Sequence, residues 1–146
     1  MRDPNPHSTR PLLSKSFGMA DLERREVVRG LVADLDGAAR PSDLATIVAE
    51  VVANAVRHGR VECLNVRASQ RGPVVLVGFH QRPALSAAAC AALARAKSGW
   101  LPDPLLDRPG GLGLPLLCRL SHRVTVSLDR ATLRVWLVTP LPGGRQ

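Results

Sequence analysis

The chain has 146 residues, 45% of them hydrophobic and only 3% aromatic, which suits one domain with an aliphatic core and little beyond it. No apolar run approaches the ~20 residues that span a bilayer, and the polar start with Pro4 and Pro6 lacks the apolar stretch of a secretory signal, so a cytoplasmic protein without a membrane partner is expected. The net charge of +8 rests almost wholly on Arg dispersed from Arg2 to Arg145, with Lys15 and Lys97 the only lysines; Arg-rich codon usage explains that better than a nucleic-acid stripe, so nucleic acid is not an expected partner.

Residues 1–10 read as a flexible tail, residues 11–140 as one domain and residues 141–146 as a second tail. Residues 11–17 suit a short edge strand. Asp21 is placed to cap a helix over 21–35, where Leu22, Val27, Val28, Leu31, Val32 and Leu35 recur at helical spacing and Gly37 follows the end. Pro41-Ser42-Asp43 opens a second helix, capped by Ser42 and ended by His58 and Gly59. Residues 64–69 alternate like a half-buried strand, Arg71-Gly72-Pro73 is a turn, and residues 74–79 form an apolar run suited to a strand covered on both faces.

Ser86 caps an Ala-rich helix to Lys97. Residues 98–109, with Pro102, Pro104 and Pro109, read as a loop, and the Gly110-Gly111-Leu112-Gly113-Leu114 turn leads into a short helix with Pro115 in its first turn. Residues 124–128 and 133–138 flank Asp129-Arg130-Ala131 as a hairpin. Helices on one face of a mixed, mostly antiparallel sheet make an α+β, two-layer domain. Cys63, Cys90 and Cys118 are odd in number and widely spaced, so they are read as small hydrophobes, not as a disulfide framework or a zinc site.

The second helix is apolar almost all round. Leu44, Ile47, Val48, Val51 and Ala55 share one side, while Asp43, Glu50, Asn54 and Arg57 fall within roughly 60° of arc. A buried carboxylate without partners is costly, so this stripe must face water, a ligand or a metal. The glycine turn before the last helix allows close backbone approach, and free N–H groups at a helix start attract phosphate. It is neither a P-loop, for no Gly-Lys-Ser/Thr follows, nor a Rossmann turn, for no βαβ pattern surrounds it. Either feature alone is common in purely structural settings.

Together they are more specific. The segment Glu50-Val51-Val52-Ala53-Asn54-Ala55-Val56-Arg57-His58-Gly59 resembles the N-box of the GHKL (histidine kinase-like) ATPase family, in the form seen in bacterial anti-sigma-factor serine kinases. The segment Gly111-Leu112-Gly113-Leu114-Pro115-Leu116-Leu117 resembles that subfamily's second glycine box. The resemblance covers about residues 11–140 and implies a Bergerat-type ATP site between helices and sheet. It implies that Asn54 holds Mg²⁺ and that Glu50 is the general base for the hydroxyl of a protein substrate. Nucleotide contacts fall on Asn54, Arg57, His80, Gly111, Gly113 and Leu114, with the 98–109 loop as a lid. The implied partners are a sigma factor or an anti-anti-sigma protein, and dimers are frequent among the proteins it resembles.

The first glycine box departs from the family pattern of an Asp followed by glycines at alternate positions. His80 is read at the Asp position, with Arg82 and Ala84 where glycines belong and Pro83 stiffening the turn. Three functions therefore stay open: an ATP-binding regulator with serine/threonine kinase activity, a nucleotide-free protein-binding module of the same fold, and a basic nucleic-acid binder.

Overall fold

The computed structural model describes residues 9–34, 41–57, 61–97 and 113–138. Along these spans run β1 (Arg10–Gly18), α1 (Met19–Leu22), α2 (Arg25–Asp34), α3 (Pro41–Arg57), β2 (Cys63–Arg71), β3 (Val74–Arg82), α4 (Ala87–Lys97), α5 (Gly113–Leu120), β4 (Arg123–Val126) and β5 (Thr132–Val138). The strands make one open sheet in the order β1-β2-β3-β5-β4. Every neighbouring pair is antiparallel, where a mixed sheet was expected. The domain is α+β.

Strand alternation decides which face the helices cover. Leu64, Val66 and Ala68 of β2, Val75, Val77 and Phe79 of β3, Val124 of β4, and Val135 and Leu137 of β5 are buried. They pack with Leu31, Leu44, Ile47, Val48, Val52, Leu93 and Leu117 from the helices as one aliphatic core. The opposite face has no buried residue among those described. The apolar run of β3 is therefore covered on one face, with Val74 and Leu76 only half-buried on the other.

Local chemistry sets the connections. The β2–β3 loop has two residues, since Arg71 pairs with Val74. Gly72 takes φ 57° there, and Pro73 fixes the next φ negative, so the turn is of the II′ kind. In the β4–β5 loop the Asp129 carboxylate accepts from Ser127 Oγ at 2.5 Å and from the Ala131 amide at 3.0 Å. These bonds hold Arg130 at φ 62°. Pro11 sits at a bulge of β1, an edge strand, where its missing N–H breaks no ladder bond.

Three expectations are corrected. The helix expected over 21–35 is two helices, α1 and α2, parted at Glu23 and Arg24. Asp21 does not begin it; its carboxylate reaches back to the Gly18 amide at 3.0 Å, because the turn from β1 into α1 starts at Gly18. Breaking the helix leaves Leu22 of α1 and Leu31 of α2 both buried in the core, with Val27 packed against it. The helix α3 starts at Pro41, so Ser42 lies inside its first turn and is not its cap. Ser86 caps α4 as expected, accepting from the Ala89 amide at 3.1 Å. Lys15 and Asp34 form an exposed ion pair between β1 and α2, worth at most ~1 kcal/mol. The tails at residues 1–8 and 139–146, and Leu35, Gly37, His58 and Gly59, lie outside the described residues.

Ile47 is fully buried at the centre of the core, so Ile47→Ala is expected to cost about 2–5 kcal/mol in chemical denaturation. The hydrogen bonds from Ser127 and Ala131, with a smaller contribution from the nearby His80, hold the Asp129 carboxyl below its ordinary 3.8. The folded value lies under the unfolded one, so this group stabilises the fold above its ordinary range, and the effect fades as pH falls through the lowered value. Denaturation midpoints measured from about pH 5 to about pH 2 should therefore show a smaller acid-dependent loss in Asp129→Asn than in the parent chain.

Candidate functional site

The helix α3 packs into the core because most of its circumference is apolar. Leu44, Ile47 and Val48 are wholly buried, and Val52 and Ala55 nearly so. On the same helix Ala49 is exposed, and Glu50 and Asn54 are half-buried. Glu50 and Asn54, one turn apart, border a cavity of about 680 Å³. That volume lies within the roughly 300–1,000 Å³ typical of small-molecule sites.

The cavity exists because one wall is built from small side chains. Ala88, Ala89 and Ala92 of α4 face it with a methyl group each. Phe79 and Leu133 from the sheet, Val61, Leu93 and Leu117 of α5 complete an apolar surround. The polar side chains on the lining are Glu50, Asn54, Gln81 and Ser86. Among the described residues neither Glu50 nor Asn54 has a hydrogen-bond or ion-pair partner, so both are free to meet a ligand.

Strand parity places His80, expected at the nucleotide site, away from the cavity. Val75, Val77 and Phe79 point inward, so Gln81 does too, and His80 points to the opposite face. His80 is exposed there, with Nδ1 hydrogen-bonded to Thr132 Oγ1 at 2.8 Å. Gln81 occupies the inward position at the end of β3. Its amide donates to Ala131 O at 2.8 Å, and Nε2 donates to Pro83 O at 3.1 Å. The Leu85 amide donates to Arg130 O at 2.7 Å, so the β4–β5 loop clamps residues 81–85 at the cavity rim. The signal for Gln81 was present in the alternation of Val75, Val77 and Phe79. It is legible only if β3 continues past Phe79, as the pairing of Leu64 with Gln81 shows it does.

Gly113 and Leu114 open α5, and Leu117, one turn further on, reaches the cavity. The structure thus brings Glu50, Asn54 and the α5 segment to one cavity and moves His80 away from it. Gly111 and the 98–109 loop lie outside the described residues, as do the side chains of Arg57 and Leu114. Cys63, Cys90 and Cys118 are free thiols. All three are half-buried, and burial pushes the Cys118 thiol above its ordinary 9.0 against the pull of Lys97.

No three His, Cys, Asp or Glu side chains cluster among the described residues to cage a metal by themselves. Mg²⁺ needs no such cage, since it keeps several waters and takes one or two protein oxygens plus phosphate. The Glu50 carboxylate and the Asn54 amide oxygen are hard donors that fit this use. No protein-family model matches the chain, and no curated protein matches it.

Because Glu50 and Asn54 hold no other element in place, Glu50→Gln and Asn54→Ala should each change folding stability by no more than about 0.5 kcal/mol. Thermal and chemical denaturation of the two variants check this. A large loss in either would make the stripe part of the scaffold.

Proposed function

We propose that this chain is an ATP-binding regulatory domain similar to the anti-sigma-factor serine kinases of the GHKL family. In this reading its fold is the Bergerat-type sandwich, and it controls transcription through a protein partner. The observation that carries the reading is that the two polar positions of the N-box-like segment, Glu50 and Asn54, open into one cavity with the start of β3's terminal turn and with α5. Nothing in the helix α3 alone requires that convergence.

The residues divide the work as follows. The Asn54 oxygen is the protein ligand for Mg²⁺, and bound Mg²⁺ supplies charge neutralisation for phosphate oxygens. Glu50, one turn earlier, accepts the proton of a hydroxyl brought in by a protein substrate. Gln81, with Nε2 engaged by Pro83 O, presents its carbonyl oxygen as acceptor for a purine amino group, the role first read onto His80. The alanine wall of α4 admits a flat apolar ring, and the amides that begin at Gly113 supply donors for phosphate.

A second reading, a nucleotide-free protein-binding module, draws on one observation. The end of β3 and the turn after it carry Arg82 and Ala84 where glycines belong, with Pro83 between them, and the cavity wall is mainly apolar. Calorimetry of the full chain with ATP and Mg²⁺ separates the two. The first reading expects saturable binding that Asn54→Ala weakens by about tenfold or more, equivalent to ~1.4 kcal/mol. It also expects Glu50→Gln to keep binding while losing transfer to a protein hydroxyl. A parent chain that ignores ATP overturns it in favour of the module.

A further inference from the structure

The helices occupy one face of the sheet, and alternation displays a second face of different chemistry. Cross-strand register places the side chains of that face in rows. Val138 and Val74 lie side by side, with Arg71 next to Val74. One step along, Arg123, Trp136, Leu76 and Ser69 form the adjoining row. In the third, Thr125, Arg134, Gly78, Arg67 and Ser14 follow one another across all five strands. His80 and then Arg82 complete the face toward the end of β3.

Two features set this arrangement apart from an ordinary solvated sheet. The first is a compact apolar block of Val74, Val138, Leu76 and Trp136, edged by Arg71, Arg123, Arg67 and Arg134. Val138 is 47% exposed. Arg123 lies over the Trp136 ring with its guanidinium carbon 5.1 Å from the centroid. Arg67, Arg71, Arg82, Arg123 and Arg134 have no ion-pair partner among the described residues. No Asp or Glu alternates onto the face. Of the acids near the ends of these strands, Asp129 is already engaged by Ser127 and Ala131, and Glu62 stands ahead of β2.

The second feature is Gly78, in the middle of the central strand. Glycine weakens a strand interior and often marks close approach by another molecule. Nothing among the described residues demands it here. A Cβ at Gly78 would meet Arg67 O at 3.9 Å and Thr132 Cγ2 at 4.0 Å, which are ordinary contacts. The missing side chain leaves a notch between Arg67 and Arg134, two strand spacings or about 10 Å apart.

We propose that this outer sheet face docks a protein segment with an apolar ridge and acidic flanks, the ridge on the Val74–Leu76–Trp136 block and the carboxylates on the surrounding arginines. An apolar centre with a rim of Arg and a Trp is the anatomy of a protein–protein interface. A second copy of the chain is a poor occupant, because face-to-face pairing sets arginine against arginine with no carboxylate between. Residues 1–8 hold one acid, Asp3, beside Arg2, and residues 139–146 hold none, so neither segment matches acidic flanks. Single-stranded nucleic acid needs successive stacking platforms, whereas Trp136 is the one Phe, Tyr or Trp ring among the described residues of this face and is already covered by Arg123. The proposal is independent of ATP binding, which concerns the opposite face of the sheet.

The test uses the full chain carrying Trp100→Phe, so that Trp136 is its one fluorescent indole. The probe is an amphipathic helical peptide of about twenty residues, long enough to be helical, with leucine on one face and glutamate along both flanks. Its lysine-flanked counterpart, oligothymidylate and oligouridylate are the other arms. The expected result is a Trp136 fluorescence change with the glutamate peptide alone. Arg67→Glu/Arg134→Glu should weaken that binding by about tenfold or more, and Gly78→Val should weaken it by closing the notch. Arg67→Lys/Arg134→Lys should retain most of it, with thermal midpoints of all variants near the parent. The proposal is overturned if the glutamate peptide fails to bind at low salt, if both peptides bind alike, or if the charge reversal has no effect. Tighter binding of either oligonucleotide, lost on the same charge reversal, overturns it in favour of nucleic acid.

Discussion

The structure depends on the burial of one almost wholly apolar helix. The helix α3 carries Leu44, Ile47 and Val48 with no solvent exposure, and it touches α1, α2 and α5 as well as the sheet-side core. Its polar stripe is only half-buried, with Ala49 exposed, and Glu50 and Asn54 open onto the cavity that the small side chains of α4 help to line. The cavity is a consequence of two sequence choices made far apart, a greasy α3 and an alanine-rich α4.

The sheet does two different things with its two faces. Inward positions are aliphatic and close-packed. Outward positions mix Arg, small polar residues and a short apolar block. The strand β3 serves both at once: Phe79 and Gln81 belong to the cavity, while Leu76, Gly78 and His80 belong to the outer face. A one-residue slip in its register would exchange the two sets completely. The continuous pairing of β3 with β2 from Val74 to Arg82, and with β5 from Val74 to His80, prevents that slip.

The link between fold and site runs through backbone hydrogen bonds at the rim. Asp129 stiffens the β4–β5 loop, and that loop in turn accepts the Gln81 and Leu85 amides. The end of β3 is thereby held where Pro83 interrupts the ladder and glycines are missing. This rim departs from the glycine pattern of the proposed family. Its shape is set by residues 127–131 as much as by residues 80–84.

Much was legible from local pattern. The periodicity of α3, the Ser86 cap, the Gly72 turn, the two hairpins and the α+β class follow from spacings within a dozen residues, where side-chain chemistry and backbone geometry are coupled directly. So does the narrow polar stripe of Glu50 and Asn54. Other features required the assembled chain. The break between α1 and α2 runs against an unbroken helical spacing and leaves Leu22 in the same core as Phe17. The exchange of His80 for Gln81 in the cavity came from β3 running on past its apolar run while paired to β2. The arginine rim on the outer face joins Arg67, Arg71, Arg123 and Arg134 from three strands, which in sequence look merely dispersed. Local spacing reports what one element prefers; only long-range strand register and helix packing decide which side chains share a surface.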